Sequence, residues 1–139
     1  MIRKSTVNDI DIIMDIWLST NIKAHSFISD EYWKNHFEEV RTAISEAEVY
    51  VFEDVVIKGF VGVIENYIAG IFVKEEFQSQ GIGNELIQFL QNSKCELVLD
   101  VYEKNKKAVD FYIKHNFKIS QKGTEKETNH MEYQMIWKK

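Results

Sequence analysis

The residues that most constrain the fold are the hexapeptide Gln78-Ser79-Gln80-Gly81-Ile82-Gly83 and the apolar segments on both sides of it. An apolar run from Tyr67 to Val73 precedes it, and an amphipathic segment that starts at Ile82 follows it. This order predicts a strand, a glycine-containing loop and a helix. The next apolar run, Glu96 to Tyr102, predicts a strand parallel to the first and joined to it by a right-handed crossover. The chain must therefore build a sheet that helices cover.

The loop between this strand and helix has the features of an anion-binding site. Backbone N–H groups at a helix N-terminus lack intrahelical partners, and the helix dipole adds positive potential there. Gly81 and Gly83 leave the backbone open to a ligand because they carry no side chain. Two nucleotide classes are excluded, since Asn84 stands where a Walker A loop needs lysine and Leu86 stands where a dinucleotide loop needs glycine.

Composition and charge predict a globular protein without nucleic-acid or membrane partners. The 139 residues suit one domain, 1–139, and 45% of them are hydrophobic. A net charge of -5 argues against nucleic acid, and the densest basic cluster, Lys104, Lys106 and Lys107, is short. No window approaches the roughly 18 apolar residues of a membrane span, and the N-terminus has no apolar signal core. We expect a cytoplasmic monomer or homodimer.

The remaining periodicities complete a mixed α/β pattern. Two helices are predicted before the sheet, one over Ile10 to Trp17 and one continuous helix over Trp33 to Ile44. The strands between Val49 and Val73 are joined by turns too short for anything but antiparallel pairing. The predicted order is β-α-α-β-β-β-α-β-α-β-β, with helices on both faces of the sheet. The last predicted elements are a helix over Lys106 to His115, strands over Phe117 to Ser120 and Glu132 to Trp137, and a polar loop over Lys122 to His130.

A second motif lies downstream of the loop and consists of Asn105, Ala108, Tyr112, Asn116 and Phe117. The loop fits the pattern Q/R-x-x-G-x-G/A, and this second block resembles N-x-x-A-x-x-x-Y-x-x-x-G-F. Asn116 replaces the glycine of the second pattern, but asparagine tolerates the left-handed conformation that ends a helix. Together the two motifs resemble those of the GNAT superfamily of acyl-CoA-dependent N-acetyltransferases, and the chain looks like its small bacterial members.

The resemblance implies a fold and a cofactor. The fold would be α/β, with a central, mixed, mostly antiparallel sheet of about six to seven strands flanked by about four helices. A splayed strand pair would form the acyl-CoA cleft. Acetyl-CoA would be the co-substrate, and no metal would be required. The implied cofactor-binding residues are Ile71, Phe72, Val73, Gln78, Ser79, Gln80, Gly81, Ile82, Gly83, Asn84 and Asn105.

The resemblance also implies a reaction, in which a primary amine of a small molecule or peptide attacks acetyl-CoA directly in a ternary complex. Tyr112 matches the usual general acid of the family, and a phenol with an ordinary pKa near 10 is protonated at neutral pH. The strand Tyr67 to Val73 carries neither a carboxylate nor a histidine. The candidates for the general base are therefore His25, which is alternatively a substrate contact, and Glu65. The alternative function is a catalytically silent CoA-binding module that acts as a sensor or a partner subunit.

Overall fold

The computed structural model describes all 139 residues and contains seven strands and five α-helices. No helix combines the length and the hydropathy that crossing a lipid bilayer requires. The strands are β1 (Ile2–Lys4), β2 (Glu48–Asp54), β3 (Val56–Ile64), β4 (Tyr67–Val73), β5 (Glu96–Tyr102), β6 (Lys118–Thr124) and β7 (Met131–Lys138). The helices are α1 (Ile10–Ala24), α2 (Asp30–Asn35), α3 (Phe37–Glu46), α4 (Ile82–Ser93) and α5 (Lys106–Lys114).

The single sheet opens between β4 and β5. Its order is β1-β2-β3-β4-β5-β7-β6, and β4 with β5 is the one parallel pair. Within that pair, only Tyr67 and Val98 lie opposite each other. On its other side, β4 pairs with β3 as far as Val73, and β5 pairs with β7 along its whole length. Ala69 is an extra, unpaired residue in β4, and such a bulge bends a strand. The two strands therefore diverge, which confirms the predicted mixed sheet with a splayed pair.

Two hydrophobic cores lie on the two faces of the sheet. The first core contains Leu86 and Leu90 of α4, packed with strand residues such as Leu99. The second core contains Met14 of α1 and Phe60 of β3, with α2 and α3 completing the layer. This arrangement follows from the alternation of side chains along each strand, which sends successive residues to opposite faces. The prediction of helices on both faces is confirmed.

The predicted second helix is broken at His36 into α2 and α3. The His36 backbone N–H donates to the Trp33 carbonyl at 3.2 Å. Its ring Nδ1 lies 2.7 Å from the Tyr32 carbonyl, which in a continuous helix would accept from the backbone N–H of His36. The prediction of one continuous helix was wrong. Hydrophobic periodicity cannot show that the His36 ring, and not its backbone N–H, contacts the Tyr32 carbonyl. The structure consequently has five helices where about four were expected.

A charged network joins β1 to the turn before α1. Arg3 donates to Asp9 through Nη1 at 2.8 Å and Nη2 at 3.1 Å, and to Glu53 through Nε at 2.9 Å. Asp9 also accepts from the backbone N–H of Thr6 at 2.8 Å, as in a capping box. The hydrogen bond from Arg3 is the largest cause that lowers the pKa of Asp9, which falls to about 2.

Asp9 is expected to make the stability of the fold sensitive to acid. Its folded-state pKa of about 2 lies below the ordinary value of 3.8, so its contribution is complete above about pH 4 and is lost as the pH falls through about 2. Asp9→Asn should therefore lower the free energy of unfolding at pH 6 and flatten its decline between pH 4 and pH 2, as measured by urea unfolding. The control is Asp15→Asn, which changes an exposed carboxylate without an ionic partner. Equal acid sensitivity in wild type and Asp9→Asn would contradict this role.

Candidate active site

The glycine loop places a run of free backbone N–H groups at the start of α4. Ser79 and Gly81 have left-handed φ values of 65° and 86°, and such residues in a turn direct neighbouring N–H groups into a shared concavity. No backbone N–H from residue 79 to residue 84 donates a hydrogen bond within the chain. Gln78 fixes the loop, because its Nε2 donates to the Val73 carbonyl at 2.9 Å. The loop thus has the free donors that an anion requires.

A cavity of about 920 Å³ lies between the end of α1, β4, the loop and α5. Tyr112 and His25 both line it, together with all of the predicted cofactor-binding residues except Gln80. Glu65 does not line it, since Glu65 lies exposed in the turn between β3 and β4 with φ 57°. The predicted cofactor-binding residues in its walls are Ile71, Phe72, Val73, Gln78, Ser79, Gly81, Ile82, Gly83, Asn84 and Asn105.

The sequence interpretation missed several cavity residues, above all four lysines. Lys23 of α1 and Lys104, Lys106 and Lys107 at the start of α5 all line the cavity. Lys107 Nζ donates to Gln78 Oε1 at 3.2 Å, so this lysine lies beside the glycine loop. The cluster at residues 104–107 is visible in the sequence, but only the fold brings it to the loop. At the end of α1 the sequence analysis singled out His25, but Ser19, Thr20, Asn21 and Lys23 in the same wall match no motif.

Tyr112 is fixed by the motif that ends α5. The backbone N–H groups of Asn116 and Phe117 donate to the carbonyls of Ile113 and Tyr112, both at 3.0 Å, and Asn116 has φ 72°. This is the Schellman arrangement, so the predicted left-handed Asn116 is confirmed. Tyr112 is only 7% exposed, and its ring packs edge-on against Phe117. Burial raises the pKa of Tyr112 above its ordinary value, and the phenol is therefore protonated at neutral pH.

His25 and Asn105 meet at the cavity wall although they are far apart in sequence. His25 Nε2 and Asn105 Nδ2 lie 3.1 Å apart. Asn105 is also the N-cap residue of α5, since its Oδ1 accepts from the Ala108 backbone N–H at 3.3 Å. The His25 ring stacks on Trp33 with their centroids 5.2 Å apart. Burial lowers the pKa of His25 to about 4, so the ring is neutral at neutral pH.

The cavity thus joins free anion-binding donors at one side to a buried phenol and a neutral imidazole at the other. A family model described as Acetyltransferase (GNAT) domain matches residues 45–119, a segment that contains both the loop and Tyr112. This chain belongs to the GNAT family of acetyltransferases. Peptidyl-lysine N-acetyltransferase YiaC of Escherichia coli is a relative, 33% identical over 99% of this chain and 96% of its own length.

A second relative and two solved structures are also similar to this chain. Peptidyl-lysine N-acetyltransferase YjaB of Escherichia coli is 28% identical over 86% of this chain and 82% of its own length. The solution structure of its apo form superposes with a TM-score of 0.87 at 23% identity, covering 99% of this chain and 96% of YjaB. The structure of yncA from Salmonella typhimurium with acetyl-CoA superposes with a TM-score of 0.70 at 16% identity, covering 99% of this chain and 92% of yncA. These structures confirm the fold.

Proposed function

We propose that this chain transfers an acetyl group from acetyl-CoA to the side-chain amine of a lysine in a protein or peptide, by direct attack in a ternary complex. The observation that carries the proposal is one cavity that contains both the free N–H groups of residues 79–84 and the protonated phenol of Tyr112. The peptide substrate is supported by YiaC and YjaB, both named as peptidyl-lysine N-acetyltransferases.

The residues of the cavity fit a coenzyme that carries phosphates and amides. The free N–H groups of residues 79–84 would hold the pyrophosphate, since an anion at a helix N-terminus receives both hydrogen bonds and favourable dipole potential. Lys107, whose Nζ donates to Gln78 Oε1, would add positive charge beside the loop. The β5-facing edge of β4 over Ile71 to Val73 has no strand partner and would pair with the amides of the pantetheine arm.

Acetyl-CoA, when bound, supplies a thioester carbon that an amine attacks and a thiolate that leaves. The lysine nitrogen must first lose a proton, because an alkylammonium has no lone pair for attack. The N–C bond forms as the C–S bond breaks, and Tyr112 gives its hydroxyl proton to the sulfur before solvent restores it. Of the two candidates for taking the amine proton, Glu65 lies outside the cavity and His25 lines it. His25 can take the proton only if Asn105 releases its Nε2.

The proposal is tested by measuring CoA binding and thiol release with the wild-type protein. We expect calorimetry to detect CoA, and acetyl-CoA to release thiol faster with an N-terminally blocked peptide containing lysine than with spermidine or free lysine. The same peptide with arginine in place of lysine is the control and should give no release. Absence of CoA binding at millimolar concentration would overturn the proposal. Binding without release to any of these amines would instead support the silent CoA-binding module.

Gly81 is expected to control CoA affinity through its backbone conformation. A Cβ on Gly81 would meet no atom within 4 Å, but its φ of 86° is unfavourable for any residue with a side chain. Since the left-handed conformation costs about 1–2 kcal/mol per residue, Gly81→Ala should raise the Kd of CoA about tenfold. The matched control is Ser79→Gly, which relieves the same kind of strain in the same loop and should not weaken binding. Equal Kd values for wild type and Gly81→Ala would contradict this explanation.

A further inference from the structure

His25 links the end of α1 to the start of α5. His25 is the C-cap residue of α1, and Asn105 is the N-cap residue of α5. The contact between their side chains therefore joins the caps of two helices that both line the cavity. Tyr112 lies seven residues after Asn105 on the same helix, so the position of this cap affects the position of the phenol.

The contact also determines which nitrogen of His25 carries the proton. Asn105 Oδ1 is occupied as the acceptor of the Ala108 N–H, so the amide group presents Nδ2, a donor, to His25. Two donors cannot share a hydrogen bond, and Nε2 of His25 must therefore be the unprotonated nitrogen. In the neutral ring the proton is then on Nδ1. The N-cap bond thus assigns the tautomer without reference to any ligand.

The surroundings of His25 keep the ring in this state. Nδ1 is buried and has no hydrogen-bond partner. The ring stacks on Trp33 and meets Tyr102 edge-on, with centroid distances of 5.2 Å in both cases. Phe27 closes a further side with its centroid 5.7 Å away. A buried donor without a partner is unfavourable, so the arrangement persists because packing and the Asn105 bond hold it.

We propose that His25 is a positioning residue, whose neutral Nε2 accepts a hydrogen bond from Asn105 and thereby holds α5, with Tyr112, at a fixed separation from α1. In this arrangement Nε2 has no free lone pair to take the proton of an attacking amine. The catalytic consequence rests on the proposed acetyl transfer, whereas the tautomer and the link between the two caps do not.

The first test is the tautomer, read from long-range ¹⁵N–¹H correlations of the His25 ring in the full-length protein without ligand. We expect Nε2 as the unprotonated nitrogen in the wild type. Asn105→Asp keeps a good N-cap but presents an acceptor to His25, so the proton should move to Nε2. A protonated Nε2 in the wild type, or the same tautomer in both proteins, would overturn the proposal. This readout stays valid even if no acceptor amine is ever found.

The second test separates positioning from base catalysis. His25→Leu removes the acceptor and should lower kcat about tenfold or more, because small displacements of a catalytic group are costly. His25→Gln offers an amide oxygen near the place of Nε2 and should recover most of that loss, although glutamine is no base. If His25 is no base, kcat/KM of His25→Gln should depend on pH between pH 5 and pH 8 as the wild type does. The other titratable side chains beside His25 and Phe27, which are Tyr102, Lys104 and His130, are present in both proteins. Wild-type turnover in His25→Leu, or a His25→Gln variant as impaired as His25→Leu, would overturn the proposal; circular dichroism checks that both variants fold.

Discussion

Replacement of Tyr112 by phenylalanine is expected to lower kcat by about 10²-fold or more, the range typical for loss of a general acid. The Kd of CoA should stay within about twofold, because the ring and its contact with Phe117 remain. The departing thiolate would then have to take its proton from water. Since burial raises the pKa of Tyr112, the proton donor should stay active up to at least the ordinary phenol value near pH 10. Steady-state kinetics with a lysine peptide, together with calorimetry, measure both quantities.

The matched control for this variant is Tyr133→Phe. Tyr133 Oη donates to Glu103 Oε2 at 2.8 Å, and Tyr133 does not line the main cavity. The same loss of a hydroxyl should therefore leave kcat within about twofold of wild type, as expected for a group outside the reaction site. If Tyr112→Phe retained wild-type turnover, Tyr112 would be a core aromatic residue and not the proton donor. If both variants lost activity equally, the loss would reflect folding instead.

Replacement of Gly59 by alanine is expected to destabilise the protein by about 1–3 kcal/mol, the usual cost of overpacking. A Cβ at Gly59 would lie 2.7 Å from the Phe72 carbonyl oxygen and 3.3 Å from the Val73 Cα. Both are backbone atoms of β4, and both residues line the cavity. The strand can make room only by moving, so CoA affinity should fall together with stability. Urea unfolding and calorimetry on the same variant measure the two effects.

Gly62 provides the control, because it lies on the same strand and carries no backbone obstacle. A Cβ there would approach no atom closer than the Ala69 Cβ at 3.9 Å, which is an ordinary contact. Gly62→Ala should therefore change stability little or raise it by about 0.5–1 kcal/mol, since alanine loses less backbone entropy on folding. Opposite signs for the two alanine variants would support the steric explanation. Equal destabilisation by the two variants would show that the close approach of the Phe72 carbonyl oxygen is not the cause of the effect at Gly59.

Local patterns predicted the parts of the structure that depend on neighbouring residues. β4 and β5 have the bounds that their apolar runs predicted, Tyr67–Val73 and Glu96–Tyr102. The glycine loop and the left-handed Asn116 also follow from short motifs, since each is determined by backbone geometry within a few residues. The polar loop predicted over Lys122 to His130 was too long, because β6 continues to Thr124 as an exposed edge strand without apolar alternation.

Features that depend on distant residues could not be predicted in this way. The contact between His25 and Asn105 joins positions 80 residues apart, and no spacing rule connects them. At the break between α2 and α3, the His36 Nε2 lies 2.8 Å from Oε2 of Glu127, which is 91 residues away. The lysines at the cavity needed the fold to carry α1 and α5 to the same loop. Each of these is a consequence of tertiary assembly, so hydrophobic periodicity contains no signal for it.

The splayed strands β4 and β5 leave the sheet with few backbone hydrogen bonds at its centre. β4 belongs to both cores, since Ile71 and Val73 pack with the first and Phe72 with the second, but its link to β5 is almost absent. At this point the two halves of the sheet are joined by few backbone hydrogen bonds, and the buried core shared by Ile68 of β4 and Leu97 of β5 holds them together. A ligand that fills the cleft and binds only the folded protein would add to this connection. The stability of the sheet should then rise with ligand concentration.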